Sequence, residues 1–107
     1  MKFDLHYDGE TYPYETDELT LAEAMSVKVI SGFSAGQFVS AIFAIEPRAW
    51  LAMYVLALRR AGKRDTNAED IDQDKIDVLA TAEQFLNANP EAAARVGWNP
   101  TDSADTD

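Results

Sequence analysis

Residues 47–62 read PRAWLAMYVLALRRAG, and this stretch decides the fold. Pro47 suits the first turn of a helix, where its missing N–H would have no partner anyway. Trp50, Leu51, Met53, Tyr54, Val55, Leu56 and Leu58 then put apolar side chains nearly all round a helix running to about Ala61. A helix of that kind is either central to a fold or covered on one side by a partner. Arg59 and Arg60 complement the negative end of its dipole, and Gly62 stops it.

Working back from Pro47, the segment 34–37 (SAGQ) has the spacing of a capping box and opens a second amphipathic helix. That helix carries Phe38, Val39, Ile42, Phe43 and Ile45, an arc too wide for a purely solvated face. Before it, 20–23 (TLAE) is a further capping box. It starts a helix to about Ser31, with Leu21, Met25 and Val29 in i, i+4 register and Gly32 as its stop.

Earlier still, the chain alternates. Phe3, Leu5 and Tyr7 face one way, Asp4 and His6 the other, and Asp8-Gly9 leads into Thr11, Tyr12 and Tyr14. Asp-Gly between two β-prone runs is a strong hairpin signal, because both central turn positions need a positive φ. Pro13 belongs on an edge, where a missing donor matters least. A lone hairpin is marginal in water, so its apolar face must pack on the helices.

Beyond Gly62, 66–69 (TNAE) looks like a third capping box opening a short turn. A fourth helix is expected from near Asp74 to about Asn87, with Ile76, Leu79, Phe85 and Leu86 as its apolar positions. Asn89-Pro90 starts a last short helix over 91–96, stopped by Gly97, and Trp98 is placed to tuck back on the core. The tail NPTDSADTD has nothing apolar to bury and reads as disordered. The expected fold is therefore mainly α, a single domain over 1–97 with an N-terminal hairpin (2–14) packed on a bundle of about four helices. A flexible acidic tail at 98–107 follows.

The 107 residues are 47% hydrophobic and 10% aromatic, enough for one real core. No cysteine is present, which removes disulfides, thiolate metal sites and cysteine nucleophiles together. The opening MKFDLHYDGE has no apolar signal-peptide region, and the uncharged run 49–58 is far short of a membrane span. A soluble protein without membrane association is expected. With 19 acidic against 9 basic residues, a net charge of -10, the surface repels phosphate backbones and argues against nucleic-acid binding. The acidity either keeps a sticky small protein soluble, or steers it to a basic partner or imitates DNA.

Catalytic motifs fail on specific residues. Gly32-Phe33-Ser34-Ala35-Gly36 matches G-x-S-x-G, but a nucleophile elbow needs a buried strand before it and a histidine after it. His6 is the only histidine and precedes it. Asp70-Ile71-Asp72-Gln73-Asp74 imitates an EF-hand loop, yet Lys75 stands where glycine is needed and Thr81 where glutamate is. No catalytic, metal or cofactor residues are assigned.

A binding role has more to draw on. Arg59, Arg60, Lys63 and Arg64 are followed at once by Asp65, Glu69, Asp70, Asp72 and Asp74. This is either helix-end electrostatics or a charge-polar surface that orients a partner or the protein's own copies head to tail. Phe33, Phe38, Phe43, Trp50 and Tyr54 either form the core or line a groove for an apolar helix. The candidate partner-binding set is Phe38, Ile42, Phe43, Trp50, Tyr54, Arg59 and Arg60.

The order of these pieces resembles one family. A hairpin with Asp8-Gly9, Tyr12 and Tyr14 is followed by Leu19-Thr20-Leu21-Ala22-Glu23-Ala24 and the break at Gly32. Trp50-Leu51-Ala52 and Leu56-Ala57-Leu58-Arg59-Arg60-Ala61-Gly62 complete the match, over about residues 1–75. In this order and spacing the chain resembles the tail assembly chaperones of long-tailed phages, especially those infecting actinobacteria. The resemblance implies a non-enzymatic factor, acting in the host cytoplasm and absent from the mature virion. It would bind the tape measure protein and help tail tube protein polymerise around it. It also implies that a frameshifted longer form can occur, with the acidic tail as linker. Rival readings are a head–tail connector or completion protein of the virion, an acidic DNA mimic, and a regulatory module with no phage link.

Overall fold

A computed structural model of the chain describes residues 1–88, 90–95 and 97. The architecture is mainly α with an N-terminal hairpin, as the sequence predicts. Strands β1 (Lys2–Tyr7) and β2 (Glu10–Glu15) pair antiparallel, with Tyr7 opposite Glu10 and Phe3 opposite Tyr14. Asp8 (φ 51°) and Gly9 (φ 79°) both take the positive φ that a two-residue turn of this hand demands. The turn makes Tyr7 and Glu10 a hydrogen-bonded pair, so bonded pairs alternate from there and Asp4 opposite Pro13 is a non-bonded one. The Pro13 nitrogen therefore points away from β1 and forfeits no ladder bond.

Three helices follow: α1 (Leu21–Ser31), α2 (Ala35–Phe43) and α3 (Pro47–Arg60). The capping box at the start of α1 is complete. The Glu23 amide donates to Thr20 Oγ1 at 3.1 Å, and the Thr20 amide donates to Glu23 Oε1 at 2.9 Å. Gly32 ends α1 in the left-handed conformation (φ 82°), and Ser34 N–H donates to Gln37 Oε1 at the start of α2. At the α2–α3 corner the amides of Ile45 and Glu46 reach back to the Ile42 and Ala41 carbonyls. Ile45 takes the left-handed position (φ 58°) that glycine usually fills, at a cost of about 1–2 kcal/mol.

α3 is the centre of the molecule. Every residue over 49–58 is buried except Leu51, which is partly so. The hairpin face of Phe3, Leu5, Tyr12 and Tyr14 shares its core cluster with α2 and Val27 of α1. Tyr54 meets the Tyr7 ring edge-on at 6.2 Å between centroids, and Trp50 donates its indole N–H to the Ile42 carbonyl at 2.9 Å.

After α3 the chain departs from expectation. The cap of the third turn is Asn67 rather than Thr66: its amide donates to Asp70 Oδ2, and a 3₁₀ turn spans Ala68–Asp70. A second 3₁₀ turn, Gln73–Lys75, precedes α4, which runs Val78–Ala88 and so begins four residues later than predicted. Asp72 and Asp77 explain the delay. Each carboxylate accepts a nearby amide, from Asp74 and Ala80 respectively, and splits the expected helix into a turn and a helix. Leu79, expected in the core, is 73% exposed, while Thr81, Ala82 and Leu86 face inward. α5 covers Pro90–Arg95. The readings made for Val96, Trp98 and the acidic tail fall outside the described residues, and the side chain of Phe85 is likewise not described.

Candidate functional site

The candidate partner-binding residues divide in two. Phe38, Ile42, Phe43, Trp50 and Tyr54 are all buried in the core cluster. With the hairpin, α1 and α2 packed round α3, these five side chains are enclosed, although Trp50, 2% exposed, also lines a surface cleft beside Leu51. Arg59 and Arg60 remain accessible in part, but both are engaged within the chain.

Arg60 ties three elements together. Its Nε donates to Glu23 Oε2 at 2.7 Å, its two terminal nitrogens donate to the Glu15 and Glu18 carbonyls, and the guanidinium lies 4.8 Å from the Tyr14 ring centroid. Arg59 donates to the Thr66 carbonyl (2.7 Å), to Ser26 Oγ (3.0 Å) and, at 3.4 Å, to Asn67 Oδ1. Lys63 bonds the Tyr12 hydroxyl and Glu10, and Lys75 bonds Asp8. The basic cluster is thus largely a set of internal latches between α3, its following loop and the hairpin. Hydrogen bonds from Arg60 hold the Glu23 carboxyl below the usual carboxylate range, and those from Lys75 do the same for Asp8. Glu10 is lowered first by the Tyr12 hydroxyl and then by Lys63.

Two predictions follow from the Arg60 cluster. Arg60→Ala lowers the unfolding free energy by about 2 kcal/mol in urea titrations, and Arg60→Lys restores less than half of it, because an ammonium cannot reproduce the planar fork. Burial pushes the Tyr14 hydroxyl up to about 12. An unfolded tyrosine ionises near pH 10, so this contribution is complete below that pH and is lost as the pH rises towards about 12. Alkaline titration of Tyr14→Phe against the parent should remove a destabilisation on the order of 2 kcal/mol that the parent shows in that window.

The same latches fix the rotation of α1. Glu23 and Ser26 point at the two arginines, so Val27 and Ser31, on that side, are buried. At 3.6 residues per turn, Leu21 and Met25 fall within roughly 20° of the opposite side. Leu21 is 79%, Met25 63% and Val29 86% exposed. The most apolar seam of α1, which periodicity assigns to the core, instead faces out. Its inner seam is held by two polar pairs, by Val27 and by the partly buried Ile30.

One cleft adjoins that exposed seam, and a second lies on the other side of Ile30. The first, of about 590 Å³, lies where Met25 and Val29 of α1 face Arg59 and, from the first 3₁₀ turn, Ala68 and Glu69. The second, of about 380 Å³, is lined by Arg48 and Leu51 of α3 and by Ile76 and Val78 ahead of and in α4. Ile30 lines both. Sequence reasoning missed this surface because it treats the strongest hydrophobic seam as the buried one.

The residues of the rejected motifs have structural employment. Ser34 opens α2, and His6 Nδ1 lies 3.2 Å from Thr11 Oγ1 on the neighbouring strand. Asp70 and Asp72 accept backbone amides in the two 3₁₀ turns, and among the described residues no three His, Asp or Glu side chains converge as a metal site would need. Among the described residues no single helix is long and apolar enough to cross a membrane. Family models, curated proteins and solved structures yield no match to this chain.

Proposed function

We propose that this protein is a non-enzymatic assembly factor, a tail assembly chaperone whose client is the aggregation-prone helical tape measure protein of a long-tailed phage. One observation carries the reading: Leu21, Met25 and Val29 stand open to solvent on a helix whose rotation is locked by Arg59 and Arg60. A fold with a complete core has no need of such a seam, and large apolar side chains held outward in a row are the mark of a protein-binding face. The order of the hairpin, the 19–24 segment and the 50–62 helix supports the same family on sequence grounds. In this reading the protein works in the host cytoplasm, holds the tape measure soluble while tail tube protein assembles, and leaves before the virion is complete. The acidic surplus keeps the complex soluble.

Co-expression with the tape measure protein of the same genome tests it. A soluble complex that co-purifies is the expected result. A tape measure that stays insoluble, or this protein recovered as a stable ring in purified particles, removes the chaperone reading and favours a connector.

A further inference from the structure

The two long edges of the hairpin differ. On β2 the outward positions are Thr11, Pro13 and Glu15, and Pro13 brings no donor to the middle of that edge. On β1 the outward amides and carbonyls belong to Lys2, Asp4 and His6, and none of them meets a hydrogen-bond partner among the described residues. The side chains of the same three residues are exposed. We propose that this β1 edge pairs with the β1 edge of a second copy, antiparallel and two-fold symmetric, with Leu5 facing its own counterpart. The result is a four-stranded sheet with both β1 strands inside and both β2 strands outside. The inference stands apart from the client reading above and does not rest on it.

Alternation and charge together fix the register. Outward positions must face outward positions if the strands are to exchange hydrogen bonds, so even-numbered residues pair with even-numbered ones. With Leu5 at the centre, Asp4 of each copy lies opposite His6 of the other, and Lys2 lies level with Asp8 of the other. Moving the centre to Asp4 sets that carboxylate against itself and Lys2 against His6. Moving it to Phe3 keeps a match of Lys2 with Asp4 but carries His6 off the end of the strand. His6 Nδ1 is 3.2 Å from Thr11 Oγ1, which leaves Nε2 for the facing carboxylate. Opposite charges directly across a strand pair contribute about 0.2–1 kcal/mol each. Two features favour a copy over a foreign strand. The pairing is isologous, so every favourable pair occurs twice. It also leaves only β2 edges outermost, each carrying Pro13, so the sheet ends at four strands. The net charge of -10 on each chain opposes association at long range, but the paired edge itself is mixed in sign. A single strand pair is accordingly a weak, reversible contact.

Sedimentation equilibrium of the full chain should show a mass rising towards twice the monomer at concentrations on the order of 0.1–1 mM, as suits a small reversible interface. Asp4→Lys should weaken the association about tenfold, through two lost pairs. The double variant Asp4→Lys, His6→Asp exchanges the charges and should restore it to within about threefold. Thermal melts of both variants should match the parent, since both positions are exposed. The chain has no cysteine, so register can be read by cross-linking. An equimolar mixture of Asp4→Cys and His6→Cys chains, once oxidised, should give mainly the mixed disulfide dimer rather than either self-linked one. A monomeric mass up to about 1 mM overturns the proposal. So does equal linkage in every combination, or a double variant that fails to restore pairing. A doubling of mass that Val29→Glu abolishes and Asp4→Lys leaves alone also overturns it, since α1 would then be the contact.

Discussion

Trp50→Ala should lower the unfolding free energy by about 4 kcal/mol, within the usual range for removing a buried tryptophan. The side chain is among the largest wholly enclosed ones, and it sits 6.4 Å, centroid to centroid, from the Tyr54 ring. Truncation leaves a cavity at the middle of α3 and strips the indole N–H from the Ile42 carbonyl at the α2–α3 corner. The Ile42 carbonyl keeps the Ile45 amide as a donor, so the cavity supplies most of the loss. Small domains are stable by about 5–15 kcal/mol, so the loss takes between about a quarter and most of the total. Trp50→Phe should lose less, because most of the volume is kept and only the hydrogen bond goes. Urea titration followed by far-ultraviolet circular dichroism measures both. A loss below about 1 kcal/mol for the alanine variant would mean that α3 is not the packed centre described here.

The opposite behaviour is expected on α1. Changing Leu21, Met25 and Val29 together to glutamate should leave the midpoint of unfolding within about 0.5 kcal/mol of the parent, since all three are largely exposed. Client capture should be lost, because three carboxylates in a row make the seam repel the apolar face it is proposed to hold. The readout is the soluble fraction of co-expressed tape measure protein, with the parent as reference. Retained capture by the triple variant would move the binding surface off α1. Together the two variants divide the molecule: Trp50→Ala weakens the fold with the proposed surface intact in sequence, and the α1 triple alters that surface with the fold intact.

Much of this architecture was legible because local chemistry and tertiary packing agree. The Asp8-Gly9 turn, the boxes at Thr20 and Ser34, Pro47 and Gly62 each specify a backbone geometry without help from distant residues. Legibility failed where a distant partner decides. The rotation of α1 is set by Glu23 and Ser26 bonding arginines 37 and 33 residues away, which no hydrophobic periodicity records. The late start of α4 has another cause. Asp72 caps the second 3₁₀ turn and Asp77 takes the Ala80 amide that a continuous helix would direct to the Ile76 carbonyl, and pattern alone does not rank the two. The five apolar candidates on the second and third helices lie in the core, because an apolar excess there is what a small fold needs to enclose one helix on every side. Nor does sequence foresee that Ile45 ends α2 in a left-handed turn, since its residue type argues against it.

The outward nitrogen of Pro13 bears on how the protein survives among sticky neighbours. Any two-stranded ribbon leaves bonding groups along both rims, and a passing extended chain can add itself there and be added to in turn. On the β2 rim that growth stops, because the ring occupies the place where the incoming strand needs a donor. The β2 rim is thereby closed to the strand-by-strand addition through which fibres grow.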